Sequence, residues 1–199
     1  MTVPVTDGAS DLRGAPSSGR ASSKPWAAKI ASMPTARATT RVFTTSVDLP
    51  AADRAKVIKL LNLHLADAAD FWSQAKQAHW NVKGPDFWQL HKLFDEVAGE
   101  AAGWVDECAE RVTALGGYAT GTVRMAASGS RLPEFPTDIT DSMAYVKAVA
   151  TRLGAFTNSA RSAIDATDKL GDADSADLFT EISRCADKYL YFLEAHLQD

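Results

Sequence analysis

The most informative stretch of this chain is residues 76–117, which read KQAHWNVKGPDFWQLHKLFDEVAGEAAGWVDECAERVTALGG. It contains two histidines, His79 and His91, and a carboxylate, Asp95, one helical turn after the second histidine. Two imidazoles and one carboxylate form the ligand set that holds non-haem Fe(II) while leaving coordination positions open. The pattern therefore predicts a site for a hard, redox-active metal ion.

Two further acids, Asp106 and Glu110, follow on the same predicted helix. At helical spacing Asp95 lies about 40° round from His91, and Asp106 lies about 20° beyond Asp95, so the three share one side. However, Asp106 is roughly 16 Å further along the helix than Asp95, which is too far for one metal ion. A two-fold axis that crosses two copies of this helix antiparallel removes the difficulty. Small residues at 98–103 (AGEAAG) mark the predicted crossing point.

Charge is distributed unevenly along the 199 residues, whose net charge is −4. Residues 1–47 carry six basic and two acidic residues (+4), whereas residues 48–199 carry 15 basic and 23 acidic residues (−8). The first segment is rich in Ala, Ser, Thr, Pro and Gly, without a sustained apolar period. We therefore predict a disordered, flexible basic N-terminal tail at 1–47 before a folded domain at 48–199. A transit peptide is the alternative interpretation, and Asp7 and Asp11 argue against it.

The two cysteines, Cys108 and Cys185, fall at apolar helical positions and are predicted to be reduced core thiols. No apolar run approaches the roughly 18 residues that a membrane span requires. With 46% hydrophobic residues the chain can still bury a sizeable core.

Apolar residues at alternating steps of three and four predict four helices. The first begins after Pro50 and ends at Gly84-Pro85, the second covers about 86–115, and a connection at 116–137 leads to the third. An acidic corner at 165–177 precedes the fourth. The predicted core positions are Val57, Leu61, His64, Ala68, Phe71, Ala75, Ala78 and Val82; Phe87, Leu90, Phe94, Val97, Ala101, Trp104, Cys108 and Val112; Ile139, Met143, Val146, Ala150, Leu153, Thr157, Ala160 and Ile164; and Leu178, Ile182, Cys185, Tyr189, Phe192 and His196. The fold class is all-α, a ferritin-like four-helix bundle with one long crossover connection.

The same residues resemble the Dps family, the DNA-protecting mini-ferritins. The resemblance covers roughly 52–199 and is carried by the segments KQAHWNVKG (76–84), LH (90–91), FDE (94–96) and AER (109–111), with Asp106 and ALGG (114–117). It implies a ferroxidase whose iron ligands are His79, His91 and Asp95 from one subunit and Asp106 and Glu110 from its two-fold mate. It also implies a dodecameric shell in the bacterial cytoplasm that oxidises Fe(II), preferentially with hydrogen peroxide rather than oxygen, at di-iron sites. The ferric product is stored inside.

Several other residues are candidates for supporting roles, each with a plainer alternative. Trp80 could donate electrons to stray oxidising equivalents, as a Trp does in similar proteins, or could serve packing alone. His64 and His196 lie on apolar stripes and are predicted to be hydrogen-bonded core or interface histidines. Four acids near the last helix could line a cation-admitting pore, or could form a solvated turn in which Asp174 or Ser175 caps the helix. These acids are Asp168, Asp172, Asp174 and Asp177.

The basic tail at 1–47 could bind DNA without sequence preference, because many arms on one oligomer would contact many phosphates. Trp26 could add stacking. An inert tail, or one that packs on the shell or controls assembly, is the alternative. The rival function is a non-specific DNA-binding nucleoid protein of structural role, with a vestigial or zinc-occupied metal site.

Overall fold

A computed structural model describes residues 41–198 of the chain, which form five α-helices. We label them α1 (Ala51–Asn81), α2 (Phe87–Ala114), α3 (Val123–Gly129), α4 (Ser142–Asp168) and α5 (Ala173–Ala195). Short links join α1 to α2 and α4 to α5, so each pair packs as a helical hairpin. The connection between α2 and α4 is long and contains α3. The predicted ferritin-like four-helix bundle with one long crossover is confirmed, and the crossover holds a small helix.

Local signals in the sequence set the helix ends. Gly116 has a φ of +80° after α2, and Gly117 N–H donates to the Val112 carbonyl at 2.8 Å, which completes a Schellman cap. Gly171, with a φ of +78°, ends α4 in the same way. Asp141 caps α4 by accepting from Ala144 N–H at 3.0 Å. The third predicted helix, which is α4, therefore starts at Ser142, and Ile139 lies outside it, half-buried in the preceding loop.

The core lies between the two hairpins and is filled by the predicted stripes. All eight predicted positions of α1 are buried. Three aromatic rings from three helices stack at its centre, with centroids 5.2 Å apart for Trp104 and Phe156 and 6.3 Å apart for Phe71 and Phe156. None of the helices in the described part of the chain is long and apolar enough to cross a membrane.

Some of the predicted core positions are wrong. On α5 the stripe runs through Phe179 and Leu193, whereas His196 at the C-cap is exposed. Phe87 is also exposed, because it begins α2 at the end of the bundle. Helix α5 starts at Ala173, earlier than the acidic corner suggested, so the turn before it covers only 169–172. Both cysteines are free; Cys108 is buried as predicted and Cys185 is half-buried.

The segment just before α1 lies against the C-terminal end of α2. Phe43 N–H donates to the Gly116 carbonyl at 2.7 Å, and Thr45 Oγ1 donates to the Ala114 carbonyl at 3.3 Å. A Cβ on Gly116 would come within 2.6 Å of the Phe43 carbonyl oxygen. This close approach and the positive φ both require glycine at 116. The predicted tail at 1–47 otherwise lies outside the described residues, as does Trp26.

Candidate metal centre

His79, in the last turn of α1, and His91, in the second turn of α2, face each other across the first hairpin. Their rings stack with centroids 3.8 Å apart. The hydrogen bonds are reciprocal: His79 Nδ1 lies 2.8 Å from the His91 carbonyl oxygen, and His91 Nδ1 lies 2.9 Å from the His79 carbonyl oxygen. Because a carbonyl oxygen only accepts, each Nδ1 must carry the proton. In the neutral rings both Nε2 atoms then keep a lone pair for a metal ion.

Asp95 lies one turn after His91, beside the pair. Its Oδ1 is 3.9 Å from His79 Nδ1 and only 2.6 Å from Lys76 Nζ. The hydrogen bond from Lys76 lowers the pKa of Asp95, and the lysine charge acts in the same direction. Asp95 is therefore an ionised carboxylate at neutral pH, paired with the ammonium group of Lys76. Sequence reasoning missed Lys76, although its position three residues before His79 was a signal for it.

Asp106 and Glu110 are exposed on the same helix, further towards its C-terminal end. The straight α2 separates Asp106 from Asp95 by roughly 16 Å, so one chain does not bring these acids to the histidines. Within residues 41–198 of a single chain, no three His, Cys, Asp or Glu side chains are grouped closely enough to hold a metal ion. That a two-fold mate supplies the second pair stays a prediction.

The surface around the predicted crossing point is open. Nothing in the chain lies within 4 Å of where a Cβ would stand on Gly99 or Gly103. A cleft of about 400 Å³ borders this surface between α1, α2 and α3, and its lining includes Trp72, Val105 and Val123. Trp72 and Val123 are both exposed. This combination of small residues and uncovered apolar side chains is typical of a surface that another protein copy covers.

The supporting candidates have different surroundings. Trp80 is 59% exposed, with Lys76 Nζ 6.0 Å from its ring centre, so it does not serve packing within the chain. His64 is buried and hydrogen-bonded, as predicted: Nδ1 is 2.9 Å from the Leu60 carbonyl oxygen and Nε2 is 3.0 Å from Ser159 Oγ.

The four acids near the last helix separate into two groups. Asp168, Asp174 and Asp177 are exposed, whereas Asp172 is buried. Asp172 accepts from Arg111 Nη2 at 2.6 Å and, as the N-cap of α5, from Ser175 N–H at 3.1 Å. The cap is thus Asp172 rather than Asp174 or Ser175. Its carboxylate is occupied within the chain, which leaves the other three as pore candidates.

The helix order, the long crossover and the paired histidines together define a ferritin-like bundle. A family model described as a ferritin-like domain matches residues 58–199, and the chain belongs to this family. Within the family its relatives are Dps proteins. The chain is 43% identical over 155 residues to the DNA protection during starvation protein of Agrobacterium fabrum, covering 78% of this chain and 96% of that one.

Solved structures agree with this assignment. DpsC from Streptomyces coelicolor superposes with a TM-score of 0.76 at 30% identity, covering 79% of this chain and 92% of that chain. A Dps homologue from the archaeon Halobacterium salinarum also reaches 0.76, at 26% identity, covering 83% of this chain and 93% of that chain.

Proposed function

We propose that the protein is a ferroxidase that takes Fe(II) as substrate, oxidises it with hydrogen peroxide and stores the ferric product. The observation that carries the proposal is the reciprocal hydrogen bonding of His79 and His91, which leaves both Nε2 lone pairs available. The ionised Asp95 lies near this pair, with its Oδ1 3.9 Å from His79 Nδ1. Imidazole and carboxylate bind Fe(II) without excluding an oxidant, and additional carboxylates favour the harder Fe(III) product.

Each site is shared between two copies of the chain. Asp106 and Glu110 of a two-fold-related copy complete the ligand set of His79, His91 and Asp95. The separation along α2 and the open small-residue surface at Gly99 and Gly103 support this arrangement. Two Fe(II) ions held together can give two electrons to one peroxide, which takes up two protons and forms two water molecules. No hydroxyl radical is released in that reaction.

Storage follows from a closed oligomer, which we propose to be the dodecameric shell of the Dps family. Fe(II) enters where exposed acids concentrate cations, for which Asp168, Asp174 and Asp177 are the candidates. Trp80 is exposed and follows His79 directly in the chain. It donates an electron to oxidants that the reaction of two Fe(II) ions with one peroxide leaves behind.

The test is stopped-flow oxidation of anaerobically added Fe(II) after mixing with peroxide, using wild type and Asp106→Ala/Glu110→Ala. The wild type is expected to oxidise Fe(II) rapidly and keep the ferric product soluble, while the variant falls to the rate of buffer. Asp165→Ala/Glu194→Ala removes two exposed acids elsewhere and is the matched control. Unchanged kinetics in the first variant would refute the site.

A second function, DNA binding, is supported by the charge asymmetry between residues 1–47 (+4) and 48–199 (−8). The acidic domain repels phosphate, so binding resides in the tail and weakens steeply with salt. Deletion of residues 1–40 should abolish the mobility shift of duplex DNA without changing iron oxidation. DNA binding without any catalysed iron oxidation would instead support the structural nucleoid protein with a vestigial or zinc-occupied site.

A further inference from the structure

One carboxylate between α2 and α5 accepts hydrogen bonds from two oxidisable side chains. Glu100 Oε1 accepts from Tyr189 Oη at 3.1 Å, and Glu100 Oε2 accepts from Cys185 Sγ at 3.4 Å. Tyr189 and Cys185 are four residues apart on α5 and thus lie on one face of that helix. The metal centre uses none of these three residues.

Both donors are held in their protonated forms. Burial, and then the hydrogen bond to Glu100, raise the pKa of Tyr189 to about 12 and the pKa of Cys185 to about 11. The thiolate is the form of cysteine that attacks peroxide, so a protonated Cys185 reacts slowly by that two-electron route. Oxidation of either side chain must proceed by loss of one electron together with one proton.

The surroundings of Tyr189 make Glu100 the acceptor for that proton. The tyrosine is only 5% exposed, so bulk water has little access to its hydroxyl group. Lys188 Nζ lies 4.8 Å from the centre of its ring. A cation there disfavours a positively charged tyrosine radical, so the proton must leave the ring as the electron does. Glu100 is already hydrogen-bonded to it.

We propose that Tyr189, Glu100 and Cys185 form an electron-donating site that reduces one-electron oxidants such as the hydroxyl radical. An electron passes from Tyr189 to the oxidant, which becomes hydroxide, while the Oη proton moves to Glu100 and leaves a neutral phenoxyl radical. Cys185 then reduces the phenoxyl. Cys185 gives its electron to the phenoxyl and its Sγ proton to Glu100, while Glu100 returns the first proton to Tyr189. The products are a thiyl radical on Cys185 and an intact tyrosine.

Within one chain, Glu100 and the two histidines lie on different sides of α2. Glu100 follows His91 by nine residues, which is roughly 14 Å along the helix and about half a turn around it. The two sites are chemically independent, since a one-electron oxidant from any source will serve. The proposal therefore goes beyond the ferroxidase and can be tested without iron.

The experiment is pulse radiolysis of the metal-free full-length protein with the azide radical as oxidant, followed by optical and EPR detection of phenoxyl. The wild type is expected to form one dominant phenoxyl radical. Tyr189→Phe should lose it, while Tyr191→Phe, which alters an exposed tyrosine of the same helix, should keep it. Glu100→Gln should slow its formation by about 100-fold, near the lower end of what a positioned base contributes. Cys185→Ser should prolong its lifetime.

An unchanged phenoxyl signal in Tyr189→Phe would overturn the proposal, and an unchanged lifetime in Cys185→Ser would remove the thiol from it. Mass spectrometry of the oxidised wild type is independent of how any variant folds. Oxidation products concentrated at Tyr189 and Cys185 would support the site. Products spread over the exposed Tyr118 and Tyr191 would contradict it.

Discussion

The side chains of His79 and His91 are each hydrogen-bonded to the backbone of the other residue. Each imidazole Nδ1–H donates to the carbonyl oxygen of the other residue. These two hydrogen bonds hold the stacked rings in place and select the tautomer of each ring. Lys76 complements this arrangement by neutralising Asp95. Lys76 therefore competes with a metal cation for the Asp95 carboxylate, because its ammonium group is hydrogen-bonded to Oδ1.

Replacing Lys76 by Met should therefore tighten metal binding. Asp95 is half-exposed, so the lysine pair contributes only about 0.2–1 kcal/mol, and we expect the affinity for Fe(II) to rise by a factor of about 1.4 to 5. Anaerobic titration calorimetry measures the change. Lys92→Met is the control, because Lys92 lies over the Trp88 ring rather than at the site. Affinity that is unchanged or weaker in Lys76→Met would show that the pair does not compete with metal.

His64 makes the stability of the fold depend on pH. It is buried against Phe179, with ring centroids 4.7 Å apart, and burial lowers its pKa from 6.5. Just below pH 6.5, His64 consequently binds a proton in the unfolded chain but not in the folded chain. This contribution to stability is fully present above pH 6.5 and is lost as the pH falls from there towards the folded-state pKa.

Urea unfolding at pH 7.5 and pH 5.5, conditions chosen on either side of the ordinary histidine pKa of about 6.5, tests this. The free energy of unfolding should fall on acidification by up to about 1.4 kcal/mol per pH unit from this group. His64→Gln should flatten that slope, whereas His196→Gln, at an exposed position, should not. Identical slopes in wild type and His64→Gln would contradict the assignment.

The crossover is tied to α1 by polar residues that the apolar pattern did not reveal. Asp67 is 1% exposed and accepts from Arg131 N–H at 2.7 Å and from Arg131 Nη2 at 2.6 Å. Asp70 accepts from Ser130 Oγ at 2.6 Å, and Asn62 Oδ1 accepts from Thr120 N–H at 2.9 Å. The long connection is therefore positioned along the middle of α1, from Asn62 to Asp70, and it carries α3 beside the predicted crossing point.

Removing the Arg131 side chain should lower the free energy of unfolding more than removing the Asp67 side chain does. Arg131→Ala leaves the carboxylate buried without its cation and should cost about 3 kcal/mol. Asp67→Ala leaves a guanidinium that is 43% exposed and can be hydrated, so it should cost about 1–2 kcal/mol. Chemical denaturation gives both values. The double variant should be more stable than Arg131→Ala alone, and equal costs for the two single variants would contradict this account.

A single copy of the molecule holds only part of the proposed metal centre. The histidines and Asp95 lie at one end of α2, while Asp106 and Glu110 lie towards the other, with the open surface at Gly99 and Gly103 between them. Pairing two copies about that surface would complete two sites at once. Activity then becomes a property of the assembly, and variants in different subunits should complement one another.

Subunit mixing tests this directly. His79→Ala/His91→Ala and Asp106→Ala/Glu110→Ala should each be inactive, yet a hybrid dimer has one site with every ligand intact. After joint refolding, random pairing gives hybrids in half of the dimers, so about a quarter of the wild-type oxidation rate should return. Mixing each variant with itself is the control. Activity no greater than that of the separate variants would mean that the ligands do not come from two copies.

The four long helices and their order were predictable from the sequence, whereas the short α3 in the crossover was not. Periodicity and caps act over a few residues, so the stripes of α1 and the Gly116 cap follow from local composition. The error at the start of α5 has a local cause too, because the acidic residues obscured the helix start at Ala173. Asp172 could not be distinguished from its exposed neighbours, because its burial depends on Arg111, 61 residues away.

By itself, the sequence determined that this chain is an all-α bundle and predicted a metal site from its imidazoles and carboxylates, since helix periodicity and side-chain chemistry need no distant partner. Only the tertiary structure decided which polar groups are buried, which nitrogen of each histidine is free and which carboxylate meets Lys76. Those features depend on contacts between residues 12 to 64 positions apart. The same is true of the Glu100 carboxylate, whose two oxidisable partners reach it from another helix.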